Sequence, residues 1–290
     1  MNTTSDPAEL PVRIYTPESP VRHPGKFLRE MFRDLMACRE LAWRLFVRDF
    51  SAAYRQSYLG YFWMFVPPLI AALPWIFLSS QNILSGGDTG MPYALFVLAG
   101  TTLWTVFIEA INCPINALNG GRSMMSKINF PREALIVAQL GQILLNLVIR
   151  TVVLLALLLF VFKIPVGLHL ALAPLGLAAV LITGLAIGLW VAPVGMLYGD
   201  VSKAVNIGSI FWMILTPVVY VPKTTGLIGF LATWNPASPI ITTARAWLTG
   251  QPHEQIVPFL LVSGAGLIFA FLGWALLRLT LPMIVERMGG

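Results

Sequence analysis

The chain has 290 residues, 57% of them hydrophobic and only 11% charged, with nine tryptophans and a formal net charge of +6. With a mean hydropathy of +0.77, that balance excludes a water-soluble globular fold and describes a polytopic helical membrane protein. The apolar residues come in solid blocks without period-two alternation, which argues against a β-barrel, and the basic residues sit beside those blocks with no nucleic-acid reader motif.

Residues 1–26 contain Pro7, Pro11, Pro17, Pro20 and Pro24 and no apolar core. They read as a poorly ordered lead within a cytoplasmic segment, residues 1–39, and not as a signal peptide. Residues 40–59 then read as an amphipathic helix in the headgroup layer. At 100° per residue Trp43, Phe46, Val47, Phe50, Tyr54 and Tyr58 share one face, and Arg44, Arg48 and Arg55 gather beside it. Two readings stand for these arginines: anchorage to anionic lipid, at about 1 kcal/mol each, or capture of a substrate's phosphate headgroup by guanidinium forks.

Runs without Asp, Glu, Lys or Arg predict six spans within residues 60–280, at roughly 61–80, 93–116, 136–162, 172–197, 205–221 and 258–278. Lys and Arg crowd the first 58 residues, the loop after the second span (Arg122, Lys127, Arg132) and the end of the chain (Arg278, Arg287). The opposite loops hold only Lys163, Lys223 and Arg245. The positive-inside rule therefore places both termini, including the 281–290 tail, in the cytoplasm. Pro67, Pro68 and Pro74 interrupt the first span and Pro217 the fifth, which suits a wall that bends and is equally tolerated in a static bundle.

Glu109 and Arg150 fall inside the second and third spans, where an isolated charge costs about 2.5–3.5 kcal/mol on insertion scales. The antiparallel helical rise brings them within roughly 10 Å in depth. They read as an interhelical ion pair that fixes packing, or as the polar lining of a conduit. Gly184 with Gly188, and Gly195 with Gly199, permit close helix approach in the fourth span. Residues 222–254 hold apolar stretches too short to cross, broken by Gly226, Gly229, Asn235-Pro236 and Pro239, and read as an external re-entrant segment that lids an outward opening.

Cys38 and Cys113 cannot form an extracytoplasmic framework, and His23, His169 and His253 lie in separate regions, so no metal centre is expected. Phosphate-loop, nucleophile-elbow and zinc-protease patterns are missing, and no catalytic residue is assigned. Any energised work needs an ATPase on another chain.

Five strings occur in an order that resembles the transmembrane subunit of bacterial ABC exporters for O-antigen, capsule and teichoic-acid polymers, in the type-2 ABC permease superfamily. They are RDFSAAYRQSYLGYFW (48–63), NFPREAL (129–135), LYGDV (197–201), ILTPVVY (214–220) and NPASPIITTARAWLTG (235–250), and they cover most of residues 40–250. The resemblance implies a homodimer in the bacterial inner membrane above two copies of a nucleotide-binding subunit, which holds the ATP and Mg; this chain itself carries no cofactor. It implies a lipid-linked polysaccharide as substrate. It also implies coupling contacts in the 119–132 loop, with Arg122, Lys127, Phe130 and Pro131, and in the turn bearing Asp200 and Lys203. Sugar faces stack on aromatic rings, for which Tyr61, Phe62 and Trp63 in the first span and Phe211, Trp212 and Tyr220 in the fifth are candidate channel residues; they are equally candidates for interfacial anchors. Two other readings stay open, a type-2 exporter of a small lipid or drug and an integral membrane transferase.

Overall fold

The computed structural model describes residues 24–55, 58, 60–80, 90–125, 127–128, 130–164, 167–221, 226–251 and 255–289, and no strand occurs among them. In chain order the helices are α1 (Pro24–Ala37), α2 (Arg39–Tyr54), α3 (Val66–Ser80), α4 (Tyr93–Gly120), α5 (Arg122–Met125) and α6 (Glu133–Ala156). They continue with α7 (Ala173–Leu197), α8 (Val201–Leu215), α9 (Gly226–Trp234), α10 (Ala237–Thr249) and α11 (Ile256–Gly289). A 3₁₀ turn at Gly60–Met64 leads into α3, a π turn at Leu157–Val161 prolongs α6, and a 3₁₀ turn at Leu168–Leu172 leads into α7.

Among the described residues four helical stretches are long and apolar enough to cross a membrane: Tyr93–Gly120, Glu133–Val161, Leu168–Leu197 and Ile256–Ile284. They coincide with the expected second, third, fourth and sixth spans. The first and fifth appear as shorter apolar helices, Phe62–Leu78 and Val201–Leu215. The fifteen residues of α8 reach roughly 22 Å at 1.5 Å per residue, less than the ~30 Å hydrocarbon core. It stops where it does because Pro217 forces the preceding residue out of the helical region, and Thr216 is extended at φ −99°, ψ 136°.

α4 is the central helix, with 72% of its apolar window buried, against 17% for α11. α7 crosses it closely because glycines remove the side chains between them. A Cβ on Gly184 would lie 2.6 Å from the Phe107 carbonyl oxygen, one on Gly188 would strike the Ile111 carbonyl, and one on Gly195 would meet Ile115 at 2.8 Å. Gly199 faces open space and takes no part in the crossing. α11 covers the far side of α7, with Trp190 and Phe269 stacked at 4.8 Å and Gly273 under the Trp190 indole.

On the other side of α4 lies α6, and α2 lies along α6 through buried Cys38, Ala42 and Leu45, with Phe46 resting over Gly141. Burial, and then the Glu133 carboxylate, push the Cys38 thiol above its ordinary pKa, so it behaves as a small apolar core residue. α1, which lies partly in the expected proline-rich lead and was not expected as a helix, packs Phe32 edge-on against Trp274 of α11 at 5.7 Å. Residues 222–254 hold α9 and α10 joined at Asn235-Pro236; residues 222–225 and 252–254 lie outside the described set. α10 is buried along almost its whole length against α7 and α4, whereas α8 touches α4 and has no fully buried residue.

Candidate substrate cavity and coupling face

Three helices carry polar stripes toward one another. On α4 the stripe is Thr105, Glu109, Asn112 and Asn116, at i, i+4, i+7 and i+11. On α6 it is Gln139, Gln142 and Asn146, at i, i+3 and i+7, with Arg150 four residues further on. On α8 it is Ser202, Asn206 and Ser209. At 3.6 residues per turn each set keeps to one face. Together with Trp104, Ile108 and Ile143 most of these residues line an open cavity of about 530 Å³, within the size range of ligand pockets.

Within this cluster Arg150 Nη2 donates to Glu109 Oε1 at 2.7 Å, so the structure pairs the two intramembrane charges; their side chains are 23% and 30% exposed. Asn112 Nδ2 donates to Asn206 Oδ1 at 3.0 Å, and Ser202 Oγ donates to Asn112 Oδ1 at 3.1 Å, which ties α8 to α4. Glu109 Oε2 and Arg150 Nη1 are buried without a hydrogen-bond partner among the described residues.

Next to the cavity, the chain leaving α8 is held by side chains. Arg245 of α10 is 5% exposed, and its Nη1 donates to the carbonyls of Pro217 and Val218 at 3.1 and 3.0 Å, while its guanidinium lies 3.7 Å from the Phe96 ring centroid. Tyr93 Oη donates to the Val219 carbonyl at 2.8 Å, and Asn235 Nδ2 to Thr216 Oγ1 at 2.7 Å. Non-helical backbone in an apolar bundle survives only where protein satisfies it, and Arg245 with Tyr93 supplies that satisfaction.

The candidate aromatic residues differ in exposure. Phe62 and Trp63 are exposed in the 3₁₀ turn before α3, and the side chain of Tyr61 lies outside the described set. Phe211 points away from the bundle. Trp212 turns inward, edge-on to Trp104 and Phe107 at 5.8 and 5.3 Å, and donates Nε1–H to Asn235 Oδ1 at 3.0 Å. Tyr220 is half-buried.

Of the α2 arginines, Arg44 pairs with Glu40 at 2.6 Å and Arg48 with Asp49 at 2.7 Å, both on the surface, and Arg55 is exposed just past the helix end. Trp43, Phe46 and Phe50 follow one another in contact, the first pair tilted at 5.4 Å and the second stacked at 5.9 Å.

The two expected coupling segments are neighbours. Arg122 at the start of α5 donates to the Met196 carbonyl, and Asn119 Nδ2 donates to the Gly195 carbonyl at 3.3 Å, so the loop after α4 is bound to the end of α7. Lys127 is exposed, Phe130 and Pro131 are half-buried, and Asp200 and Lys203 form an exposed 3.6 Å pair in the adjoining turn. The same end is braced by Arg278, which donates to Asp34 Oδ2 of α1 at 2.5 Å and to Glu133 Oε1 of α6 at 3.0 Å.

Sequence reasoning did not single out the carboxamide stripes, Arg245 as a pin, or the Asp34–Arg278–Glu133 network. The stripes carried a usable signal, since Asn and Gln recur at helical spacing in two spans. Arg245 and Arg278 carried none, because their partners lie 27 and 244 residues away.

No group of three His, Cys, Asp or Glu able to hold a metal converges among the described residues. Comparison with known proteins finds a match to the family described as ABC-2 type transporter over residues 40–249. Two curated relatives are both described as O-antigen export system permease protein RfbA. The one from Myxococcus xanthus is 25% identical over 219 residues, covering 74% of this chain and 83% of the relative. The one from Klebsiella pneumoniae is 20% identical over 224 residues, covering 75% and 83%.

Proposed function

Because the chain belongs to the ABC-2 type transporter family, we propose that it is the membrane-spanning subunit of an ATP-driven exporter that carries a lipid-linked, O-antigen-like polysaccharide outward across the bacterial inner membrane. The observation that carries this reading is the family match over 210 of the chain's residues, 40–249, supported by relatives described as O-antigen export permeases. A polar cavity set into an otherwise apolar bundle agrees with it.

In this reading the chain is a transport subunit that hydrolyses nothing itself. Two copies assemble, each with six spans, the first and fifth being the shorter helices α3 and α8 extended by their flanking segments; the uncovered faces of α8 meet at the seam. Both termini are cytoplasmic, and α9 with α10 forms the external re-entrant lid. ATP and Mg bind to two copies of a separate nucleotide-binding subunit, which docks on residues 119–132 and on the Asp200–Lys203 turn. Arg122 then positions the docking loop through its bond to the end of α7, and Lys127, Phe130 and Pro131 make the contacts.

Arg44, Arg48 and Arg55 collect the phosphate headgroup at the cytoplasmic surface. Arg44 and Arg48 exchange weak surface ion pairs, worth about 0–1 kcal/mol, for phosphate. The polymer enters along α8 and α3 past Phe62, Trp63 and Phe211, and Trp212 supports the wall from behind. Deletion of the gene tests the reading: surface polymer disappears and its lipid-linked precursor accumulates in the cytoplasmic leaflet. Normal surface polymer in the deletion strain refutes it.

A further inference from the structure

We propose that the cavity between α4, α6 and α8 is a recognition subsite for an uncharged polyhydroxylated chain, and that it discriminates against polyanionic polymers. The proposal rests on the exporter reading above and adds the chemical class of the cargo.

Gln139, Gln142, Asn146 and Asn116 line the cavity, and none of the four makes a hydrogen bond among the described residues. Each carboxamide offers two N–H donors and a carbonyl acceptor. That pattern pairs with hydroxyl groups, which also donate and accept, and vicinal hydroxyls match one amide's two edges. Gln139, Gln142 and Asn146 are half-buried and Asn116 is exposed, so their amides stay accessible to a ligand within spans that are otherwise apolar.

The charge pattern gives the sign. Glu109, which lines the cavity, and Arg150 neutralise each other, so the pair brings no net charge to the wall. A neutral amide wall pairs with hydroxyls, whereas phosphate, carboxylate or sulfate entering it loses hydration with no opposite charge in return. Among the described residues no Lys or Arg lines the cavity to offset that cost. Trp104 backs the wall as a buried ring packed on Phe107 and Trp212.

The stripe also has length. From Gln139 to Arg150 the α6 face runs eleven residues, roughly 16 Å at 1.5 Å per residue, about half of the hydrocarbon thickness. It begins near the end that carries α1, α2 and α5. A sugar chain entering there meets successive amides along its path.

The test uses the full chain in nanodiscs together with its ATP-binding subunit. Equilibrium binding is measured with maltoheptaose as a neutral probe and a heptameric oligogalacturonate as an anionic one, at equal ionic strength. The expected result is millimolar binding of the neutral probe and at least about tenfold weaker binding of the anionic one, a difference of 1.4 kcal/mol. Replacing Gln142 and Asn146 with Leu should abolish neutral binding, with the complex still assembled and its unfolding midpoint no lower. Gln142→Arg, which keeps the site polar, should reverse the preference toward the anionic probe. Equal binding of the two probes, or binding unchanged in Gln142→Arg, overturns the assignment. Loss of the ATP-binding subunit from the preparation marks failure of the exporter reading instead, and is scored separately by copurification.

Discussion

Replacing Arg245 with Met should unpin the segment that follows α8. The guanidinium is 5% exposed, with two bonds to the Pro217 and Val218 carbonyls and a cation–π contact at 3.7 Å to Phe96. Met fills much of the volume and removes the donors. Two orphaned carbonyls cost about 1–3 kcal/mol each, and the lost ring contact about 2 kcal/mol in a desolvated site. Relief from burying a charge offsets part of this, leaving a net loss of about 2–4 kcal/mol. For a chain of this size that is roughly 5–15 °C in unfolding midpoint. Scanning fluorimetry of the detergent-purified protein reads the midpoint, and hydrogen exchange over residues 216–219 reads the local effect. Arg245→Lys, which keeps a charge but lacks the planar fork, should fall between the two. A Met variant within about 1 °C of the parent, or one that is destabilised with exchange at 216–219 unchanged, would refute the pinning argument.

Glu109→Gln alone should destabilise the bundle by about 1–3 kcal/mol by stranding Arg150, less than a fully buried pair because both side chains are partly exposed. The Glu109→Gln/Arg150→Gln double variant should recover most of that loss, and a double-mutant cycle on unfolding midpoints checks it. Gly188→Ala should cost about 1–3 kcal/mol, because the added methyl meets the Ile111 carbonyl of α4. Gly264→Ala on α11, where nothing lies within 4 Å, should be neutral or stabilising by about 0.5–1 kcal/mol; thermal unfolding of the two variants gives the contrast directly.

The long spans were legible because charge-free apolar blocks are a local property of the chain, and Tyr93–Gly120 and Leu168–Leu197 lie close to the ranges the sequence predicts. The Glu109–Arg150 pair was legible too, since two lone charges in adjacent antiparallel spans have few other partners. The length of α8 was harder to read. Hydropathy continues through Val218 and Val219, and only the conformational restriction before Pro217 ends the helix at Leu215. α1 went unassigned because a proline-rich lead and an amphipathic helix share residues 24–26, and its burial depends on Trp274 and Arg278 far along the chain. The cavity escaped the sequence for a different reason: spans defined by runs without Asp, Glu, Lys or Arg are not interrupted by Asn or Gln, so the amide stripes lie silently inside them. Trp212 shows the limit of that emphasis. Its neighbour Phe211 projects outward while Trp212 packs into the bundle, a division that helical phase fixes only once the packing partner α4 is known.

The most direct test of the exporter account is ATPase activity of the chain in nanodiscs, alone and after co-expression with a separately encoded ATP-binding subunit. The account predicts no hydrolysis by the chain alone, hydrolysis when that subunit copurifies in equal amount, and loss of both binding and hydrolysis in the Lys127→Ala/Phe130→Ala variant. Hydrolysis by the isolated chain, or failure of any ATP-binding subunit to bind it, would contradict the account.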